Sequence, residues 1–215
     1  MATHYKTVFL EELAAEIAAK PKTERILVAI AGAPGSGKST TAEHLQTKLE
    51  HMHDESVQIV PMDGFHYDDA VLAQLGLAHR KGAPDTFDVG GLQMTLSRLA
   101  GAYLSEDVAI PVFDRSMELS RANARLIDRQ TRILLVEGNY LLLKGEPWAC
   151  LTQYFDLSVM VACDEPTLQE RLLKRWVDLG FSVRDATRKV ELNDLPNAKL
   201  VTNGSRGAQF ILMKA

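Results

Sequence analysis

The sequence predicts an α/β fold: a three-layer α/β/α sandwich around a mostly parallel five-stranded sheet, with a helical lid. Three observations carry that expectation. Short aliphatic runs alternate with stretches of helical periodicity along the whole chain, the pattern of parallel strands covered on both faces. The run Arg25–Ala31 passes directly into GAPGSGKST and then into a helix-like segment. Acidic residues follow several of the runs, at the carboxyl ends where open α/β sheets bind ligands.

The elements follow in order. Phe9, Leu10, Leu13, Ile17 and Ala18 fall at helical spacing, so residues 1–24 are read as an N-terminal helix ended by Lys20-Pro21-Lys22. Strand-like runs follow at Arg25–Ala31, Val57–Pro61, Val108–Phe113, Arg132–Gly138 and Phe155–Cys163, with a last one at Gln209–Met213. Helical stretches lie between them, notably about Lys38–Met52, Pro166–Leu179 and Arg184–Leu192. Residues 1–215 are read as one domain, with a lid and its following helix at about 166–195. No repeat, low-complexity segment or linker interrupts it.

Composition excludes several classes. Apolar residues make up 46% and charged residues 24% of the 215-residue chain, as in ordinary globular proteins. A formal net charge of −4 and the lack of a basic run argue against nucleic acid as a partner. Cys150 and Cys163 lack C-x-x-C spacing, so neither a disulfide framework nor a zinc site is expected. No apolar run approaches the ~18 residues of a membrane span. The acids near the start argue against a secretory signal. The expectation is a cytoplasmic protein that does not insert into membranes.

GAPGSGKS fits G-x-x-x-x-G-K-[ST], a phosphate-binding loop between a buried strand and a helix, and makes the predicted fold a P-loop NTPase. Gly32, Gly35 and Gly37 let the backbone turn sharply and aim N–H groups at an anion. ATP binding is assigned to Gly32, Ala33, Pro34, Gly35, Ser36, Gly37, Lys38, Ser39 and Thr40. Lys38 is expected at the β- and γ-phosphates and Ser39 on Mg²⁺, with the helix dipole behind them. Arg206, in the turn before the last run, is a candidate to stack on adenine.

Asp63, Asp114 and Glu137 each follow a strand-like run, so they are expected to converge near the loop. Phosphoryl transfer needs carboxylates to hold Mg²⁺ and to take the proton of the attacking hydroxyl. Asp63 and Glu137 are favoured for these tasks; Asp114 could equally pair with Arg115. Ser39, Asp63 and Glu137 form the expected metal set. The polar, aromatic stretch from His66-Tyr67 to Arg80–Asp88 is a long loop with the groups to bind a small acceptor. Arg171, Lys174 and Arg175 share one helical face. Arg171 and Arg175 are candidates to stabilise the transferring group.

The segments GAPGSGKST, PMDGFHYDD, RKGAPDTFD, IPVFDRS, LLVEGNYLLL, ERLLKRW and NDLPNAKLV resemble, in that order, motifs of the P-loop kinases: uridine kinase, phosphoribulokinase and bacterial pantothenate kinase. RKGAPDTFD is similar to the KGFPESYD segment of pantothenate kinase, and IPVFDRS to a P-x-Y-D segment with Phe113 in the aromatic position. The resemblance implies transfer of the γ-phosphoryl group of ATP, with Mg²⁺, to a hydroxyl of a small molecule. It implies Asp63 as base and Glu137 near the metal. Substrate contacts would fall on Phe65, His66, Tyr67, Arg80, Asp85, Phe87, Asp88, Asp114, Arg115, Tyr140, Asn193 and Asn197. The combination VEGNYLLL, MDGFHYDD and NDLPNAKLV looks most like a bacterial subgroup labelled fructose transport system kinases, which implies a sugar or sugar-like acceptor. Relatives are often dimers, so a homodimer is compatible with the resemblance. Two departures stand out: no long acyl-pocket insert, and no second lid arginine pattern in Asp178–Ser182. A nucleoside- or pantothenate-type kinase is the alternative within this class. A nucleotide-dependent regulator acting on a transporter or another partner is the alternative outside it.

Overall fold

The computed structural model describes residues 5–22, 25–100 and 106–213. Its strands in chain order are β1 (Lys6–Val8), β2 (Ile26–Ala31), β3 (Val57–Pro61), β4 (Val108–Asp114), β5 (Leu119–Ile127), β6 (Ile133–Gly138), β7 (Leu157–Val161) and β8 (Phe210–Leu212). Six of them form one parallel sheet in the order β1-β8-β7-β2-β6-β3, and β4 and β5 form a separate antiparallel pair.

The expected sheet of five strands is therefore corrected to six, and its membership changes. Val108–Phe113 reads as a strand, and is one, but lies outside the parallel sheet. Val108 and Ile110 are apolar because they pack against the sheet face. Lys6–Val8 joins the sheet at its edge, paired only with β8 among the described residues. It takes the start of the segment read as helix, leaving α1 at Leu10–Ala18. Residues 1–4, 23 and 24 of that segment lie outside the described residues.

β2 and β6 are buried at every position, as central parallel strands must be, and this is why their sequences run aliphatic without alternation. Their side chains divide between two cores. Leu27, Ala29, Leu134 and Val136 pack with α4 (Val89–Leu99) and the β4–β5 hairpin. Val28, Ile30, Ile133 and Leu135 pack with α1 and with α2 (Lys38–His53) on the opposite face. Helix α2 buries Thr41, Ala42, Leu45 and Leu49, a one-sided apolar stripe.

A third, smaller core joins the lid to the phosphate loop: Ala33, Leu168, Leu172, Val190 and Ala198. The lid helix α5 (Glu165–Asp178) opens with Asp164 accepting from the Thr167 N–H, a standard N-cap. After Gly180, at φ +88°, the chain continues through α6 (Val183–Lys189), a π-helical segment Val190–Asp194 and α7 (Leu195–Gly204). Between β3 and α4 lies the short helix α3 (Asp69–Gln74) and a tightly turned loop.

Candidate active site

The phosphate loop leaves β2 between its neighbours β6 and β7, at the carboxyl edge where ligands bind in such sheets. A Cβ on Gly32 would come within 2.5 Å of Ser36 Oγ. Gly35 and Gly37 take φ of +79° and +83°, which L side chains avoid. Gly37 caps the N-terminus of α2, so the helix dipole points into the loop. Ser36 Oγ is buried with no hydrogen-bond partner among the described residues, inside a loop shaped for an anion.

Three charged groups meet at this edge. Ser39 Oγ donates to Glu137 Oε2 at 3.1 Å. Glu137 is register partner to Pro61 across β6 and β3, and Asp63 follows two residues later. Burial pushes the Glu137 carboxyl up, Asp63 adds to this, and Lys38 only partly opposes it. Burial likewise pushes the Lys38 ammonium down, against Glu137 and Asp63. Burial pushes Asp63 up as well, but His66, Lys38, Arg115 and Arg175 outweigh it and hold Asp63 below its ordinary value. Ser39, Glu137 and Asp63 are hard oxygen donors of the kind Mg²⁺ takes alongside phosphate oxygens. A buried carboxylate disfavoured by its surroundings fits a cation there, since a bound cation would offset its charge.

Beside this edge opens a cavity of about 1160 Å³. Of the residues expected to touch an acceptor, His66, Arg80, Phe87, Arg115, Asn193 and Asn197 line it, together with Asp63 and Arg175. The His66 ring lies 3.9 Å from that of Phe87 and 4.9 Å from that of Phe113, tilted by 42° and 46°, forming an aromatic wall. Arg115 Nη2 reaches Asp63 Oδ2 at 3.0 Å. Asn193 Nδ2 donates to the Lys81 carbonyl at 3.0 Å, and Asn197 Nδ2 donates to Asn193 Oδ1 at 3.3 Å.

Other expected contacts sit elsewhere. Phe65 is buried in the sheet core. Tyr140 is fully buried and donates its hydroxyl to the Gly82 carbonyl at 2.6 Å. Asp88 caps α4 through the Gly91 N–H. The Tyr67 N–H donates to the Thr86 carbonyl. Asp85 is exposed in a 3₁₀ turn. Asp114 turns into its own hairpin, accepting from Ser116 and pairing with Arg121 at 3.3 Å. On the lid, Arg171 Nη1 comes to 3.5 Å from the Gly35 carbonyl. Lys174 pairs with Asp178, and Arg175 lies over the Trp176 ring. Thr40 is exposed at the start of α2. Arg206 donates its N–H to the Leu142 carbonyl, with its Nε buried and unpartnered among the described residues.

Asn139, Lys81 and Asp194 also line the cavity and were not singled out from the sequence. Asn139 follows Glu137-Gly138 at the end of β6, so the strand-end rule could have found it. Lys81 was within the loop already noted. Asp194 depends on the π segment, for which nothing in the sequence gave a sign.

Residues 28–178 match the AAA domain family. The chain is 31% identical to the "putative uridine kinase" of Schizosaccharomyces pombe, over 89% of this chain and 84% of that protein. It is 34% identical to the pantothenate kinase of Sorangium cellulosum, over 71% of this chain and half of that protein. The solved structure of a "putative fructose transport system kinase" from Silicibacter sp. TM1040 matches with a TM-score of 0.88 and 36% identity, over 95% of this chain and 98% of that one. A phosphate loop, a buried acid beside its serine and a lid define an ATP-dependent phosphotransferase fold. The chain belongs to the P-loop kinase family that includes uridine and pantothenate kinases. Kinases of this family use ATP with Mg²⁺.

Proposed function

We propose that this chain, read as one kinase domain with a lid at about 166–195, transfers the γ-phosphoryl group of ATP to a hydroxyl of a small sugar or sugar-like metabolite. The observation that carries this reading is Asp63. It stands between Lys38 of the phosphate loop and a cavity large enough for a small acceptor. Backbone N–H groups of Gly32–Gly37 cradle the phosphates. Lys38 neutralises charge between the β- and γ-phosphates, and Arg171 and Arg175 approach the transferring group from the lid. Ser39 and Glu137 would hold Mg²⁺, with Asp63 beside them; when bound, the cation neutralises charge that develops on the phosphates. Asp63 takes the proton of the acceptor hydroxyl as that hydroxyl attacks the γ-phosphorus. The rings of His66, Phe87 and Phe113 offer apolar surface for a sugar ring to pack on, and Asn193 holds the neighbouring loop in shape.

The sugar-like acceptor is supported by the 36% identity to the Silicibacter protein and by the polar, aromatic lining. The test is a panel of sugars, sugar acids, sugar phosphates, uridine and pantothenate with Mg-ATP, scored for phosphorylated product by mass spectrometry. One class of acceptor should be phosphorylated. Asp63→Asn should lower its turnover by about 10²–10⁴-fold with ATP affinity retained. Near wild-type turnover by Asp63→Asn would refute the assignment. ATP hydrolysis indifferent to every acceptor would favour a regulatory role.

A further inference from the structure

The candidate base is not free to receive an acceptor. Arg115 Nη2 lies 3.0 Å from Asp63 Oδ2, on the side of Asp63 that the acceptor cavity reaches. Arg115 projects from the turn between β4 and β5, outside the parallel sheet, and its side chain is 53% exposed. Its guanidinium also lies over the Phe113 ring, 6.0 Å from the centroid, but on the Arg115 side the ion pair is open to solvent, which weakens its hold. The pair can therefore be exchanged for a better partner.

The rest of the wall says what that partner is. Arg80 and Arg188 also line the cavity, and neither forms an ion pair among the described residues; of the acids beside them, Asp69 is held by Lys81, Asp185 accepts from Ser182 and Asp194 accepts from Trp176. Lys81, by contrast, is already engaged by Asp69 at 2.6 Å, and Arg175 is left to the transferring phosphoryl group. A neutral sugar would leave two arginines facing an uncharged ligand and would offer Arg115 nothing in place of Asp63. A carboxylate or phosphate ester gives a guanidinium two parallel charge-assisted hydrogen bonds.

We propose that the acceptor carries an anionic group, a carboxylate or a phosphate ester, close to the hydroxyl that is phosphorylated. Arg115 leaves Asp63 for that group as the acceptor enters, which frees the base only when a correct acceptor is present. The inference rests on reading this cavity as the acceptor site. It makes Arg115 the residue that selects against neutral sugars, because these leave the base blocked.

The test uses matched compounds on the full chain: glucose, gluconate and glucose 6-phosphate; fructose and fructose 6-phosphate; ribose and ribose 5-phosphate. Binding is titrated through tryptophan fluorescence with Mg²⁺ and a non-hydrolysable ATP analogue, and turnover is measured with Mg-ATP. The expected result is binding of an anionic member at least about tenfold tighter than its neutral partner; the gluconate and phosphate arms tell the two anions apart. Arg115→Gln should raise KM for that acceptor about tenfold to hundredfold and leave KM for ATP unchanged. Arg115→Lys should recover part of the loss, and Arg80→Gln should weaken the same acceptor selectively. Equal binding of neutral and anionic partners overturns the inference, as does Arg115→Gln weakening both alike; a neutral sugar phosphorylated efficiently does so while leaving the kinase reading intact. Anion-selective binding that Arg115→Gln abolishes, without phosphoryl transfer to any compound, would instead keep the anion site and overturn the kinase reading.

Discussion

Asp63 and His66 stand three residues apart, both face the cavity, and either type of side chain can serve as a base. Their surroundings separate them. Burial pushes the His66 ring below its ordinary value, and Asp63 only partly offsets this. His66 Nδ1 also lies 2.8 Å from the Asp63 carbonyl oxygen, so that nitrogen carries the proton and donates. Burial thus disfavours the charged His66 ring, whereas the charges of His66, Lys38, Arg115 and Arg175 outweigh burial at Asp63 and favour its carboxylate. A base must be deprotonated to act, and a depressed value keeps it so as pH falls. kcat/KM should therefore stay flat from about pH 8 down to about pH 6, with its acid limb at or below the ordinary aspartate value of about 3.9. An acid limb lying between the ordinary aspartate and histidine values, above about 3.9 and below about 6.5, would hand the role to His66. At this scale the sequence spoke through residue type and position after a strand: Asp63, Glu137 and the glycines could be read that way. It could not tell Phe65 and Tyr140, which are buried in the core, from His66, which faces the cavity, or from Phe87, which belongs to that core and also reaches the cavity wall.

The β4–β5 hairpin brings Phe113, Arg115 and Glu118 to the cavity and left the weakest trace in the sequence. Its second strand, LSRANARLI, is exposed through Arg121–Ala124, so it lacks the apolar alternation that marks a half-buried strand. Its first strand is apolar and was read into the parallel sheet, because periodicity reports burial and not the partner. The phosphate loop and the central strands were readable, since a fully aliphatic run followed by that glycine pattern has few other solutions. The hairpin is seated by contact between the turn at Met62–Phe65 and β4. A Cβ on Gly64 would collide with the carbonyl of Pro111. Gly64→Ala should force the hairpin off that turn, costing about 1–3 kcal/mol and raising KM for the acceptor more than KM for ATP. Thermal melting and the two KM values check this; an unchanged melting temperature with normal kinetics would show that the hairpin is not seated there.

Across the whole molecule, α5 is tied to the loop around Lys81 through the π-helical segment Val190–Asp194. Trp176 Nε1 on α5 donates to Asp194 Oδ2 at 2.6 Å, and Asn193 beside it holds the Lys81 carbonyl. Movement of α5 toward bound nucleotide would therefore be felt at the acceptor loop. With Trp148, the other tryptophan, replaced by Phe, Mg-ATP should shift the emission of Trp176; an unchanged spectrum at saturating nucleotide would argue for a static lid. The sheet carries one more consequence at its far edge. The final strand, β8, lies between β7 and the first strand, β1. During synthesis β1 leaves the ribosome some two hundred residues before its only described neighbour in the sheet exists. The early strand has to wait, and the edge of the sheet closes last, by joining the first and last of the described strands. That seam is a long-range contact with a high loop-closure cost, so it should be among the last parts of the sheet to form.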